Sequence, residues 1–274
     1  MENDTPIREA EAYLQWHAAM GVDLGVGDVP HNWFERSAQP SPAVARRVPQ
    51  ATAQQGAPKA PSTIPAARPK STAAPDEAVL EAREQAKNAT SLDALHASLA
   101  AFDGCGLKAT AKNLCFYRGA AQARLMIIGE APGRDEDLSG TPFVGPAGQL
   151  LDKMLAAIDM DDTGAHITNI VYWRPPGNRN PTPQEALVCR PFLDRQIELV
   201  APEIIMILGR PAVNNLLDNK DSIMKVRGKW KTFTVNGREV PVMPTLHPAY
   251  LLRTPLAKRM AWFDLQAVRD KLTT

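Results

Sequence analysis

The sequence predicts a three-layer α/β/α sandwich with a mainly parallel central sheet, preceded by an N-terminal helix and a disordered linker. Two observations carry this. From about residue 120 to the C-terminus, continuously apolar runs of strand length alternate with segments of helix length, and such runs mark parallel strands buried on both faces. Between residues 37 and 75, Ala, Pro, Ser, Thr and Gln replace almost all large apolar side chains, so this stretch cannot bury enough surface to offset the entropy of ordering it. The chain divides accordingly into an N-terminal helical segment (1–36), a flexible linker (37–75) and a catalytic-sized domain (76–274).

In chain order, Leu14, Trp16, Met20 and Val22 lie among helix formers over Glu9 to Val22, closed by Gly21, and predict a short helix. Asp76 to Lys87 and Ser91 to Ala101 each open on a capping residue and predict two more. The first strand is Leu125-Met126-Ile127-Ile128, closed by Gly129 and followed by a loop and a helix over Gly148 to Asp159. Further strands are expected at His166–Val171, Ile204–Leu208 and Val240–Leu246, with helices near Pro183–Val200, Pro211–Leu217 and Met260–Leu272. Around Asn236-Gly237-Arg238 the alternation breaks, and the β-formers on either side, Lys231–Val235 and Glu239–Val242, predict a hairpin.

Composition narrows the function. The 274 residues carry a formal net charge of +1, so the chain as a whole has no polyanion-binding signature and any such surface must be local. It is local: Lys225, Arg227, Lys229, Lys231, Arg238, Arg253, Lys258 and Arg259 face the single acid Glu239 between positions 225 and 259. That stretch is either a solvated basic hairpin or a phosphate-tracking surface. No run approaches the roughly 20 apolar residues of a membrane span and the N-terminus lacks a secretory pattern, so a cytoplasmic protein without membrane contact is expected. Three scattered cysteines, Cys105, Cys115 and Cys189, read as reduced thiols rather than a disulfide framework.

In an open α/β sheet, ligands bind at the carboxyl ends of the strands, and four sets of residues fall there. Gly129-Glu130-Ala131-Pro132-Gly133 can bring backbone amides close to a ligand. The loop that follows carries Glu136, Asp137 and Phe143, and its ring is either a core plug or a stacking platform for a base, worth about 1–3 kcal/mol in the second case. Asn169 ends the second strand; its amide either caps a turn or pairs with one carbonyl and one N–H of a pyrimidine edge. His247-Pro248 ends the last strand, with Leu251, Leu252 and Arg253 just beyond as an apolar wedge beside a charge, the kind of group that proteins insert to unstack a base.

Taken together, Gly129–Gly133, Gly145-Pro146-Ala147-Gly148-Gln149-Leu150-Leu151, Ile167–Val171, Arg174-Pro175-Pro176, Val226-Arg227-Gly228-Lys229-Trp230 and His247–Arg253 resemble the motifs of the family 4 and 5 uracil-DNA glycosylases, family 4 most closely. The resemblance runs from about Gly104 to the C-terminus and leaves residues 1–100 outside it. It implies a monofunctional base-excision repair enzyme that flips uracil out of single- or double-stranded DNA and hydrolyses its N-glycosidic bond to leave an abasic site. Uracil would stack on Phe143 in a pocket shaped by Gly129 and Ala131, with its edge read by Asn169. His247 would hydrogen-bond to O2 and stabilise the leaving group as negative charge develops. Arg227, Lys229, Leu251, Leu252 and Arg253 would meet the DNA. The family 1 enzymes place an Asp second after the strand glycine, where this chain has Ala131; Glu130, shaping the pocket, and Glu136, near the water or the uracil C5 edge, are the carboxylates left for that work.

The resemblance also implies a departure. Family 4 enzymes hold a four-iron, four-sulfur cluster on four cysteines. Here Phe102 and Cys105 occupy the first pair, Trp173 stands where a cysteine precedes Arg-Pro-Pro, and Cys189 matches the last. Two thiolates cannot hold a cluster that takes four, so no cluster and no other metal is expected, with the rings of Phe102 and Trp173 filling the space. A monomer is expected, with the N-terminal segment free to dock on the catalytic domain or to bind a repair protein, and in a bacterium the nucleoid is the place of action. The competing reading is a catalytically weak binder that senses uracil or abasic DNA. A nucleotide hydrolase is disfavoured because no phosphate-cradling G-x-x-x-x-G-K-[ST] loop occurs.

Overall fold

A computed structural model describes residues 75–161 and 163–273. The helix expected over Glu9–Val22 and all but the last residue of the linker lie outside the described residues. Six strands, β1 (Arg118–Gly119), β2 (Leu125–Gly129), β3 (Ala165–Asn169), β4 (Ile204–Leu208), β5 (Lys231–Val235) and β6 (Arg238–Thr245), form one sheet in the order β1-β3-β2-β4-β6-β5. The four inner strands are parallel, and both edge strands pair antiparallel.

Apolar residues on both faces of each inner strand produce this layering. On β2, Met126 and Ile128 join one core cluster while Leu125 and Ile127 join the other, as the two-residue strand period requires. Beneath the first cluster lie α1 (Pro75–Asn88), α2 (Leu92–Ala101), α5 (Pro183–Val200) and α6 (Arg210–Leu217); beneath the second lie α4 (Pro146–Ala156) and α9 (Lys258–Leu272). Capping fixes several boundaries. Ser91 accepts from the Ala94 amide to start α2, and Thr182 and Glu185 form a reciprocal capping box at the start of α5. The expected hairpin is β5–β6, with Asn236 and Gly237 both at positive φ, as a two-residue turn of this kind demands.

Four differences from the sequence reading stand out. The short edge strand β1 has too few residues to carry a periodic signal. The loop after β2 contains a one-and-a-half-turn helix, α3 (Arg134–Ser139), whose acidic residues showed no apolar stripe. The segment after His247 is a helix, α8 (Pro248–Arg253), with Pro248 in its first turn. A short helix, α7 (Ile223–Val226), also precedes β5.

The chain leaves β2 for β3 on one side and β4 for β6 on the other, which opens a crevice at the carboxyl ends of the central strands.

Candidate active site

That crevice holds a cavity of about 740 Å³ whose wall includes Glu130, Ala131, Phe143, Asn169 and His247. Gly129 and Asn169 are register partners at the ends of β2 and β3. A Cβ on Gly129 would lie 2.4 Å from Phe143 Cζ and 2.5 Å from Asn169 Oδ1, so the absence of a side chain is what lets ring and amide close over the strand end. Phe143 is held there at a positive φ of 57°, a conformation costly for an aromatic residue and tolerated where packing over-determines it. Gly148 supplies part of that packing, since any Cβ on it would sit 1.7 Å from the Phe143 carbonyl oxygen.

Asn169 is 1% exposed, and its Oδ1 has no hydrogen-bond partner among the described residues. A buried amide oxygen without a partner costs on the order of 1–3 kcal/mol. Such a deficit at a cavity wall is what a ligand N–H would relieve.

His247 caps α8, and its Nδ1 accepts from the Ala249 amide at 3.2 Å. Burial, with the positive charge of Arg253, depresses its pKa to about 4, so the imidazole is neutral at pH 7. Because Nδ1 is the acceptor, the single ring proton resides on Nε2. The ring stacks on Phe143 with centroids 5.8 Å apart. Behind it, Gly209 follows β4 at φ 85°, donates its amide to the Thr245 carbonyl at 2.9 Å, and has room for a Cβ only 3.1 Å from that of His247.

The carboxylates sort by what they already bind. Glu136 Oε2 accepts from the Gly133 amide at 3.0 Å and Oε1 from the Gly145 amide at 2.9 Å. It staples the strand-end loop to the loop after Phe143, with one amide on each oxygen, and it also lines the cavity. The spacing of Gly133 and Glu136, N-cap and third helical residue, was the available signal. Asp137, 3% exposed, accepts from the Lys112 and Asn113 amides at 2.7 and 3.2 Å. Glu130 differs. Its Oε1 is buried without a partner among the described residues, and desolvation raises its pKa to about 7.

The residues expected to meet DNA divide. Leu252 is exposed and Arg253 lines the cavity, while Leu251, 1% exposed, packs in the second core cluster and is no wedge. The helical turn explains this, because adjacent residues on α8 point in different directions. Lys229 is exposed. Arg227 is committed inward: its guanidinium pairs with both oxygens of Asp264, which is 1% exposed, and donates to the Met260 carbonyl at 2.6 Å. Thr245 completes that cluster by donating to Asp264 Oδ2 at 2.6 Å. Sequence reasoning missed Arg179, Arg210, Met224 and Tyr250, which also line the cavity; they lie in segments distant from one another in sequence, and no local pattern groups them.

Away from the cavity, Cys105 and Cys189 approach to 3.9 Å between sulfurs. Phe102 and Trp173 lie in the same buried cluster, with Phe102 packed on Phe192 at 5.2 Å between centroids. Cys115 is separate, its thiol donating to the Glu136 carbonyl at 3.1 Å, and burial pushes its pKa up to about 12. Among the described residues no group of three or more His, Cys, Asp or Glu side chains is arranged to hold a metal.

Residues 116–268 match the family model of the uracil DNA glycosylase superfamily. The type-4 uracil-DNA glycosylase of Saccharolobus solfataricus is 41% identical over 175 residues, covering 62% of this chain and 81% of that protein. Those of Archaeoglobus fulgidus and Thermotoga maritima are each 41% identical, over 66% and 54% of this chain and 92% and 77% of theirs.

Proposed function

Since the chain belongs to the uracil-DNA glycosylase superfamily, we propose that it is a monofunctional DNA-repair glycosylase that extrudes uracil from DNA and hydrolyses its N-glycosidic bond, leaving an abasic site. The carrying observation is the buried, unpartnered Oδ1 of Asn169 across the cavity from a neutral, N–H-bearing His247. Uracil offers that oxygen its N3–H, offers the Asn169 amide N–H its O4, and presents O2 to the His247 Nε2–H. As the C1′–N1 bond breaks, the electron pair passes to the base and charge grows on O2. A donor held in place in a site sheltered from water stabilises that charge without reorganisation. Phe143 supplies a face for stacking, and Gly129 and Ala131 keep the strand-end loop small enough for the ring to enter. Flipping costs a few kcal/mol, least at an unpaired or mismatched uracil.

For the attacking water we assign Glu130. Glu136 and Asp137 are occupied by backbone amides, which leaves Glu130 as the carboxylate at the cavity with an unengaged oxygen. The sugar becomes oxocarbenium-like as the bond stretches, and an ionised carboxylate can both hold the water and offset the developing positive charge.

The chain carries two of the four cysteines of a family 4 iron-sulfur site, and the residues present do not fit the cluster. Two thiols and two aromatic rings leave half the iron coordination unfilled. The aromatic filling supports a catalytic domain that holds α2 and α5 together without metal; stoichiometric iron and acid-labile sulfide in purified protein would contradict this. We also assign a monomeric protein acting on the DNA of the cytoplasm, at the nucleoid in a bacterium, with the N-terminal segment available to a repair-protein partner.

The test is strand cleavage by alkali after incubation with labelled single-stranded, U·A and U·G oligonucleotides. Uracil-dependent cleavage that falls steeply in His247→Ala and Asn169→Ala is expected. Binding to uracil-containing DNA without any excision by the wild type would favour the sensor reading instead.

A further inference from the structure

Cys105 and Cys189, 84 residues apart in the chain, face each other at 3.9 Å between sulfurs, with the Cys189 S–H directed at Cys105. Their settings differ. Cys189 lies within α5 and is fully buried, whereas Cys105 immediately precedes the short helical turn Gly106–Ala109 that follows α2. Cys105 is 2% exposed, yet it sits directly beneath the surface: its neighbour Gly106 is exposed, Gly104 is half-buried, and a Cβ on Gly106 would meet nothing within 4 Å. The backbone amides of Leu107 and Lys108 point at the Cys105 sulfur, as the unpaired first amides of a helical turn do. Among the described residues no third side chain joins the pair in a metal-holding arrangement, so the two thiols have each other as chemical partners.

We propose that Cys105 and Cys189 are a peroxide-responsive dithiol that closes to a disulfide and so staples the turn after α2 to α5. Bonded sulfurs stand about 2.05 Å apart, so closure brings the pair together by about 1.9 Å. The turn supplies that movement, because Cys105 is carried by surface backbone with a glycine on either side, while Cys189 is fixed in the body of α5. Burial also sets the oxidant: hydrogen peroxide is little larger than water and reaches a sulfur just under the surface, where a glutathione-sized disulfide has no room to dock. The Cys105 thiolate attacks one peroxide oxygen, the O–O bond breaks, and the departing hydroxide takes up a proton and leaves as water, giving the sulfenic acid. The Cys189 sulfur then attacks the Cys105 sulfur, the S–O bond breaks, and the second hydroxide takes the Cys189 proton and leaves as water. Two thiols lose two electrons and the peroxide gains them. In a reducing compartment such a bond is transient, so the tie forms under oxidation and opens when thiol reductants return. It occupies half of the four-cysteine set that the chain does not complete, as a covalent link in place of a metal-mediated one.

The experiment treats the purified full chain with hydrogen peroxide, removes the oxidant, unfolds the protein with an alkylating agent and counts labelled cysteines by mass. Thermal unfolding of the same samples is followed in parallel. The chain has three cysteines, so reduced wild type should take three labels. Oxidised wild type should take one, on Cys115, as a monomer lighter by two hydrogens, and proteolysis should release a peptide linking Cys105 to Cys189. Dithiothreitol should restore all three labels. Cys115→Ala should go from two labels to none on oxidation, while Cys105→Ala and Cys189→Ala should each keep both of theirs. Because the bond closes a loop of 84 residues, oxidation should raise the Tm of wild type by about 5–15 °C, and dithiothreitol should reverse the rise. Three labels after peroxide, a linked peptide that contains Cys115, label loss that dithiothreitol does not restore, or a Tm unchanged by oxidation would each overturn the proposal. Should the cysteine variants fail to fold, the linked peptide and the Tm of wild type decide the question by themselves.

Discussion

Replacing Gly129 by Ala tests whether the site depends on the closeness of ring and amide over the β2 strand end. The added Cβ would fall 2.4 Å from Phe143 Cζ and 2.5 Å from Asn169 Oδ1. Carbon atoms pack at about 3.5 Å or more, so the ring must retreat by about 1.1 Å. A carbon-to-oxygen contact relaxes at about 3.3 Å, so the amide must give by about 0.8 Å. Gly129 is not at positive φ, and the alanine therefore brings no backbone strain; its effect is steric and local. Both displaced groups border an open cavity, which limits the folding cost to the overpacking range of about 1–3 kcal/mol. Misplacing reacting groups by about 1 Å lowers rates on the order of 100-fold. Single-turnover excision from a uracil-containing single strand, with thermal unfolding as a check on integrity, reads both numbers. A folded Gly129→Ala protein that excises uracil within about threefold of wild type would refute the argument that this glycine sets the pocket.

Glu130, raised to about 7 by burial, should impose an acid limb: excision falls as pH drops below about 7, and the limb disappears along with most activity in Glu130→Gln. The same shift has a stability consequence of defined sign. The folded state holds this proton between about pH 4.5 and 7 while the unfolded chain releases it, so Glu130 weakens the fold as pH rises through that window, and Glu130→Gln should gain in Tm relative to wild type at pH 8 but not at pH 4. His247 and His166 are both depressed to about 4, so the unfolded chain takes up two protons that the folded one refuses. Their contribution to stability is present above about pH 6.5 and is lost as pH falls toward 4, measurable as a falling Tm in the Glu130→Gln background. Arg227→Ala leaves Asp264 buried without its charge partner and should cost about 3–5 kcal/mol, with the salt slope of DNA binding unchanged; a lowered slope in a stable variant would instead make Arg227 a phosphate contact. Glu136→Ala strands the Gly133 and Gly145 amides, and hydrogen exchange at those two positions should accelerate while Glu136→Gln retains partial protection.

The sequence alone determined the layered α/β architecture, because continuous apolar runs can be satisfied only between two helical layers, and it located Gly129, Phe143, Asn169 and His247, because strand ends in such a sheet converge. It also placed the hairpin, where Asn236 and Gly237 tolerate the φ the turn requires. Only the tertiary structure decided which charges are free to act. Glu130 and Glu136 look alike in the chain and both line the cavity, yet one has a buried oxygen without a partner among the described residues and the other is held by two amides from different loops. Arg227 and Arg253 both belong to basic motifs, yet Asp264, 37 residues along the chain from Arg227, claims the first. Leu251 and Leu252 differ by one helical step and end in core and solvent. Residue type and local spacing fix backbone conformation and apolar burial, which are short-range properties; the availability of a polar side chain depends on partners brought together by packing, which no local pattern records.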